Sequence, residues 1–178
     1  MGPFALDERR QFDVTARHGF IEFYEAALPA VHRQLSRLTG GDLALIEDLT
    51  QETFVGVARQ VREGTMHRAS VGLAVVAARH RFLDVMRRRR AEDAHASSPG
   101  GDLVWPDVAG AVVSADSARR LLARLTDEQR AALVLHHLDG LPVAEVAVLI
   151  DRSVHATESL IARAKRVLRA APEVTDDA

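Results

Sequence analysis

The chain has 178 residues, 47% of them hydrophobic, 27% charged and 4% aromatic, with no Cys and a formal net charge of −2. That supplies a core without disulfide or thiolate–metal support, and the length suits one domain or two small ones. The longest nearly apolar run, Val71 to Ala78, is far short of the roughly 18 residues of a membrane span. No membrane insertion is expected, and the opening MGPFALDERR lacks the pattern of a secretory leader, so a cytoplasmic location is the reading.

Charge is unevenly spread. Arg79 to Arg90 holds six Arg against Asp84, residues 91–116 hold Glu92, Asp93, Asp102, Asp107 and Asp116 with no Lys or Arg, and Arg152 to Arg169 holds four Arg and Lys165 against Glu158. The order basic, acidic, basic gives a near-neutral chain two local cationic surfaces, which is what nucleic-acid binding at this net charge requires.

In chain order, Phe20, Phe23, Tyr24, Ala27, Leu28, Val31, Leu35 and Leu38 recur at helical spacing, with Pro29 marking a kink or restart and Gly40–Gly41 an end. A second helix is predicted from a cap at Asp42 to about Arg62, with Ile46, Leu49, Phe54, Val57, Ala58 and Val61 inward and Asp48, Gln51, Glu52, Val55 and Arg59 outward. After the break GTMHRASVG, a third runs from about Ser70 to Arg90 on Val71, Ala74, Val75, Ala78, Phe82 and Val85. The stretch EDAHASSPGGDLVWPDVAG has linker composition.

Beyond the linker, a helix near Ser117 to Leu125 precedes Thr126-Asp-Glu-Gln129, a capping box that opens a helix through Leu133, Val134 and Leu138 to Gly140. A short helix, Val143 to Ile150, then a turn at Asp151-Arg152, then a last helix capped by Ser153 and ending near Ala170, have the dimensions of a helix-turn-helix. On the last helix Leu160, Ile161, Ala164, Val167 and Leu168 share one face, and His155, Ser159, Ala162, Arg166 and Arg169 the opposite one, the candidate DNA face. With no sustained strand-like alternation, the fold class is all-α: two small helical domains joined by a flexible acidic linker, the C-terminal one containing the helix-turn-helix. The boundaries read as residues 1–90, linker 91–116, residues 117–171 and an acidic tail 172–178.

Across about residues 18 to 170, the chain resembles bacterial RNA polymerase sigma factors of the extracytoplasmic-function (ECF) group, in four blocks in the family's order. Phe20 to Leu38 is similar to the group's first helix, and Glu47 to Phe54, reading EDLTQETF, to its most recognisable signature. Ala78 to Arg90, ARHRFLDVMRRRR, is similar to the segment that reads the minus-ten promoter element. Leu125 to Gly140, with the helix-turn-helix through Leu168, is similar to the domain that reads the minus-thirty-five element.

The resemblance implies core RNA polymerase, through its largest and second-largest subunits, and promoter DNA as partners, an anti-sigma factor as a candidate regulator, no cofactor, no metal and no catalytic residue. It implies polymerase binding through Asp48, Leu49, Gln51, Glu52, Phe54 and Arg59. It assigns minus-ten contacts to Met66, His67, Arg68, Arg79, His80, Arg81, Asp84, Arg87 and Arg88, with the loop Gly64 to Gly72 taking up a base from the opened strand. Minus-thirty-five contacts fall to Arg152, Ser153, His155, Glu158, Ser159, Arg163 and Arg166. By analogy the acidic linker runs through the RNA exit channel, with Trp105 either anchoring it or packing on a domain.

The chain departs from the family around Leu73, where a Trp is common, at His80, where Asn is usual, and at Ala156 to Leu160, where the usual Thr-Val-Lys-Ser-Arg loses two cations and gains Glu158. A carboxylate repels phosphate but accepts a hydrogen bond from cytosine N4, so the minus-thirty-five preference is left open. Two other classes stay open on the residues alone. A free-standing helix-turn-helix regulator leaves the Asp48 face without a use, and an α-helical module could serve to sequester a partner. An enzyme is disfavoured despite eight His, since no HExxH spacing, Cys or phosphate-cradling Gly loop occurs.

Overall fold

The computed structural model describes residues 10–93 and 115–170. The expectations for Trp105, most of the acidic linker and the acidic tail lie outside them. The described residues form two compact units, one holding those up to Ser36 with Asp42–Phe82, the other Arg37–Gly41 with the described residues from Leu83 on.

In chain order the elements are β1 (Gln11–Asp13), α1 (Arg17–Thr39), α2 (Leu43–Arg62), β2 (Arg68–Ser70), α3 (Val71–Asp93), α4 (Ala115–Leu122), α5 (Asp127–Leu133), a π-helical turn (Val134–Leu138), α6 (Val143–Ile150) and α7 (Val154–Arg169). Helices make the fold, as expected. Two three-residue strands add to it, pairing antiparallel with Phe12 opposite Ala69; three residues are too few for alternation to show in the sequence. Among the described residues no helix is long and apolar enough to cross a membrane.

In the first unit, α1 runs unbroken through Pro29 instead of kinking or restarting there. Pro29 removes the amide that would bond the Glu25 carbonyl, and because both residues are exposed water can take its place. Gly40 and Gly41, at φ +69° and +90°, turn the chain out of α1, and the Asp42 side chain caps α2 by accepting from the Leu45 N–H at 3.2 Å. Phe23, fully buried, is the hub, with the rings of Phe12, Phe20 and Phe54 edge-on at about 6 Å. Ile46, Leu49, Phe54 and Val57 of α2 face inward as the spacing predicts, while Ala58, expected inward, is exposed.

In the second unit, the capping box forms as read: Thr126 Oγ1 accepts from the Gln129 N–H at 3.3 Å, and Gln129 Oε1 accepts from the Thr126 N–H at 3.2 Å. Helix α5 passes into the π-helical turn rather than continuing as one α-helix to Gly140. Helices α5 and α6 both pack on α7, burying Val146, Ala147 and Ile150 of α6 and Thr157, Ile161 and Ala164 of α7. Leu83 and Met86 of α3, not foreseen as core, are buried here.

Candidate functional site

Helix α2 presents Asp48, Gln51, Glu52, Val55 and Arg59 outward at spacings of three and four. Leu49 and Phe54, grouped with them by the resemblance, lie in the core instead, 0% and 6% exposed. Phe54 wedges between Phe23 and Tyr24, whose ring centroid is 4.6 Å away, so its contribution to the face is to hold it in place. Glu52 is paired: Arg81 of α3 reaches it at 3.5 Å. The guanidinium crosses α2 over Gly56, where a Cβ would collide with Arg81 Nη2. A glycine inside a helix costs up to about 1 kcal/mol relative to alanine, and here it makes room for this pair. Gly56 carries no sequence signal of that role; only the approach of Arg81 reveals it.

Between α2 and β2 the backbone folds back on the helix end. The Thr65 and Met66 N–H groups both donate to the Gln60 carbonyl, at 3.0 and 3.2 Å, and the Thr65 hydroxyl donates to the same oxygen at 3.0 Å. Gly64, at φ +71°, permits the reversal. Met66 is half-buried, while His67 and Arg68 are exposed.

Of the residues expected to meet the minus-ten element on α3, His80, Asp84 and Arg88 form an exposed stripe, four residues apart. Arg79, Arg81 and Arg87 are half-buried. Arg87 pairs with Asp84 and donates to the Leu149 carbonyl at 2.8 Å. Arg89 pairs with Asp127 at 3.2 Å, and Arg90 donates to the Ile150 and Asp151 carbonyls and pairs with the Asp151 carboxylate at 2.7 Å. These carbonyls end α6, where the unsatisfied C=O groups and the negative end of the helix dipole attract cations. The sequence shows the cluster of arginines but not that α6 would end against it.

In the helix-turn-helix, Asp151 takes the left-handed conformation at φ 55° and ends α6, and Ser153 Oγ accepts from the Ala156 N–H at 3.1 Å to start α7. Ser153, expected at DNA, therefore has its oxygen committed to the cap, and Arg152 is bound to Glu128 at 2.6 Å. His155, Glu158, Arg163 and Arg166 project outward and Ser159 is half-buried. The π-helical turn sets the rings of His136 and His137 4.5 Å apart, although adjacent α-helical positions would point them about 100° away from each other. His136 Nδ1 lies 2.8 Å from the Leu141 carbonyl oxygen. Partial burial, then the neighbouring Lys165 and His136, hold the His137 imidazole below its ordinary value.

Comparison with known proteins matches residues 23–92 to sigma-70 region 2 and residues 115–168 to sigma-70 region 4. The ECF RNA polymerase sigma factor SigE of Mycolicibacterium smegmatis is 30% identical over an alignment 174 positions long that covers 88% of this chain and 63% of that protein's length. Among solved structures, the sigma factor RpoE in complex with the anti-sigma factor NepR from Bartonella quintana aligns over 84% of this chain and 93% of its own at 21% identity, with a TM-score of 0.48. An RsbN–BldN complex aligns over 84% and 88% at 25% identity, with a TM-score of 0.32. With regions 2 and 4 matched in order over more than half of its length, the chain belongs to the sigma-70 family, and within it is similar to a sigma factor of the ECF type.

Proposed function

We propose that the chain binds core RNA polymerase, directs it to promoters and helps open them, acting as a cytoplasmic initiation subunit with no catalytic residue of its own. Residues 1–90 carry the polymerase contact and the minus-ten reading, and residues 117–171 the minus-thirty-five reading. On this reading the outward face of α2, Asp48, Gln51, Glu52 and Arg59, docks on the polymerase's largest subunit, and Leu49 and Phe54 act from beneath it. The exposed stripe of α3 and the loop side chains Met66, His67 and Arg68 meet the minus-ten element. The outward face of α7, chiefly His155, Ser159 and Arg166, enters the major groove, with phosphate contacts adding to the salt dependence. An anti-sigma partner would act by covering the same faces.

The observation that carries the reading is that one chain holds, in the family's order, a polar outward face on α2 and an outward face on α7 with Arg163 and Arg166 exposed. A DNA-binding regulator working alone needs only the second. The test mixes the purified chain with core RNA polymerase, isolates the complex by size exclusion, and runs transcription from fragmented genomic DNA. Co-elution with discrete new transcripts is expected. A folded sample that does not co-elute, yet binds duplex DNA alone, overturns the proposal in favour of the free-standing regulator.

A further inference from the structure

Strand β1 lies before the sigma-70 region 2 match, which begins at residue 23. Phe12 is 4% exposed with its ring edge-on to Phe23, so the strand is anchored by the central aromatic of the unit. Val14, 1% exposed, donates its N–H to the His67 carbonyl at 3.1 Å, continuing the ladder past the strand. Asp13 fixes the exit by accepting from the Thr15 N–H at 3.0 Å, and Gly19 admits the Asp13 carbonyl so closely that a Cβ would collide with it.

The other side of that ladder is the loop that links α2 to α3. Residues 65 and 66 are bonded to Gln60, His67 to Val14, residues 68–70 to β1, and Ser70 Oγ accepts from the Leu73 N–H at 3.2 Å to start α3. The backbone is thus held along the run from which Met66, His67 and Arg68 project. A two-stranded ladder of three residues has little stability alone, so its order comes from the burial of Phe12 and Val14.

We infer that β1 is a positioning element for promoter opening: it presets the backbone of residues 66–68, so that their side chains meet an unpaired base without the chain having to order itself at that moment. The inference rests on the proposed sigma activity and extends it to residues outside the matched family regions. Preorganisation strengthens capture by removing ordering cost. Freeing even one residue's backbone should slow opening by about tenfold.

The test compares the full-length protein with Phe12→Ala and Phe12→Leu, each assembled with core polymerase on a promoter recovered by run-off transcription. Permanganate reactivity of unpaired thymines measures opening on duplex DNA, and transcription from the same promoter with a premelted bubble bypasses it. Phe12→Ala should co-elute with core, open duplex about tenfold more slowly and recover on the bubble, with Phe12→Leu near wild type. Opening at the wild-type rate, or an equal loss on both templates with core binding intact, overturns the inference. Should Phe12→Ala lose core binding, Val14→Pro decides. It leaves Phe12 in place and removes the amide bonded to His67, and wild-type opening by that variant overturns the inference. Absence of any transcript with the wild-type protein would instead overturn the proposed function.

Discussion

Arg130→Ala should destabilise the second unit far more than any surface Arg substitution. Arg130 is 5% exposed, and its guanidinium donates from Nε to the Leu122 carbonyl at 2.9 Å, from Nη1 to Leu38 at 3.1 Å and from Nη2 to Leu125 at 2.7 Å. Leu38 lies in the last turn of α1, so its carbonyl has no intrahelical donor, whereas the Leu122 carbonyl at the end of α4 also accepts from the Leu125 N–H at 3.1 Å. Gly40 leaves the space for the fork, since a Cβ there would stand 2.9 Å from Arg130 Cζ. Burial lowers the pKa of Arg130, and Asp127, 3.3 Å from Nη1, offsets that in part.

Each buried carbonyl left without a donor costs about 1–3 kcal/mol, and removing one partner of a buried charged network costs about 3–5 kcal/mol in all. The second figure is the better guide, because the acceptors share one donor group and relax together. At roughly 4–8 °C per kcal/mol for a unit of this size, one transition in calorimetry of the full chain should fall by about 12 °C or more. Arg130→Met matches the chain length but donates nothing, so it should be nearly as damaging as Ala. Arg130→Lys, a point cation without the planar fork, should lie between Met and wild type. A loss under about 1 kcal/mol for Ala, or a Met variant more stable than wild type, would show that desolvation of the cation outweighs its three bonds and would refute the reasoning.

Three further outcomes are expected. Arg166→Ala should weaken promoter binding by the assembled polymerase and reduce the log–log salt slope by about 0.9, and an unchanged affinity and slope would remove Arg166 from the DNA face. Gly56→Ala should push the mobile end of Arg81 off Glu52 without loss of stability, since alanine also favours the helix by up to about 1 kcal/mol. A drop in stability would mean that the pair is worth more than the roughly 1 kcal/mol of exposed ion pairs in double-mutant cycles. Because the folded state holds His137 below 6.5, the unfolded chain takes up that proton first on acidification. The stability this gives is therefore complete above about pH 6.5 and falls as pH drops below it, until the folded ring also protonates. Urea midpoints measured across that range should fall less steeply for His137→Asn, and equal slopes for the two proteins would contradict the assignment.

The helices were legible because each carries its own punctuation. Asp42, Thr126 and Ser153 cap helices where the sequence places them, and the bounds of α6 agree residue for residue. The outward faces of α2 and α7 followed from periodicity for the same reason. What escaped reading depends on contacts distant in sequence. A three-residue strand gains its order from Phe23, on another element, and Leu49 and Phe54 share a motif with exposed residues while pointing the opposite way. The run at Arg87 to Arg90 looked like uniform cationic surface, because local sequence cannot show that α6 ends against it or that Asp127 and Glu128 open α5 beside it.

That last difference changes the electrostatics of the proposed function. An arginine that meets phosphate only after leaving a carboxylate exchanges one ion pair for another, and the carboxylate left behind takes up a cation from solution. Such a residue adds little affinity and less than the usual increment of about 0.9 to the salt slope. Arg89, Arg90 and Arg152 are in this position, and Arg87 gives up the Leu149 carbonyl as well. Among the described residues, Arg88 on α3 and Arg163 and Arg166 on α7 are exposed with no such partner, so they offer positive charge at no exchange cost. On the proposed function, first attraction to DNA therefore falls to α7, to Arg88 and to Arg68, which is exposed as well. The denser run at the end of α3, which dominates the sequence, contributes only where the gain in promoter contact exceeds what these arginines already have from Asp127, Glu128, Asp151 and the end of α6.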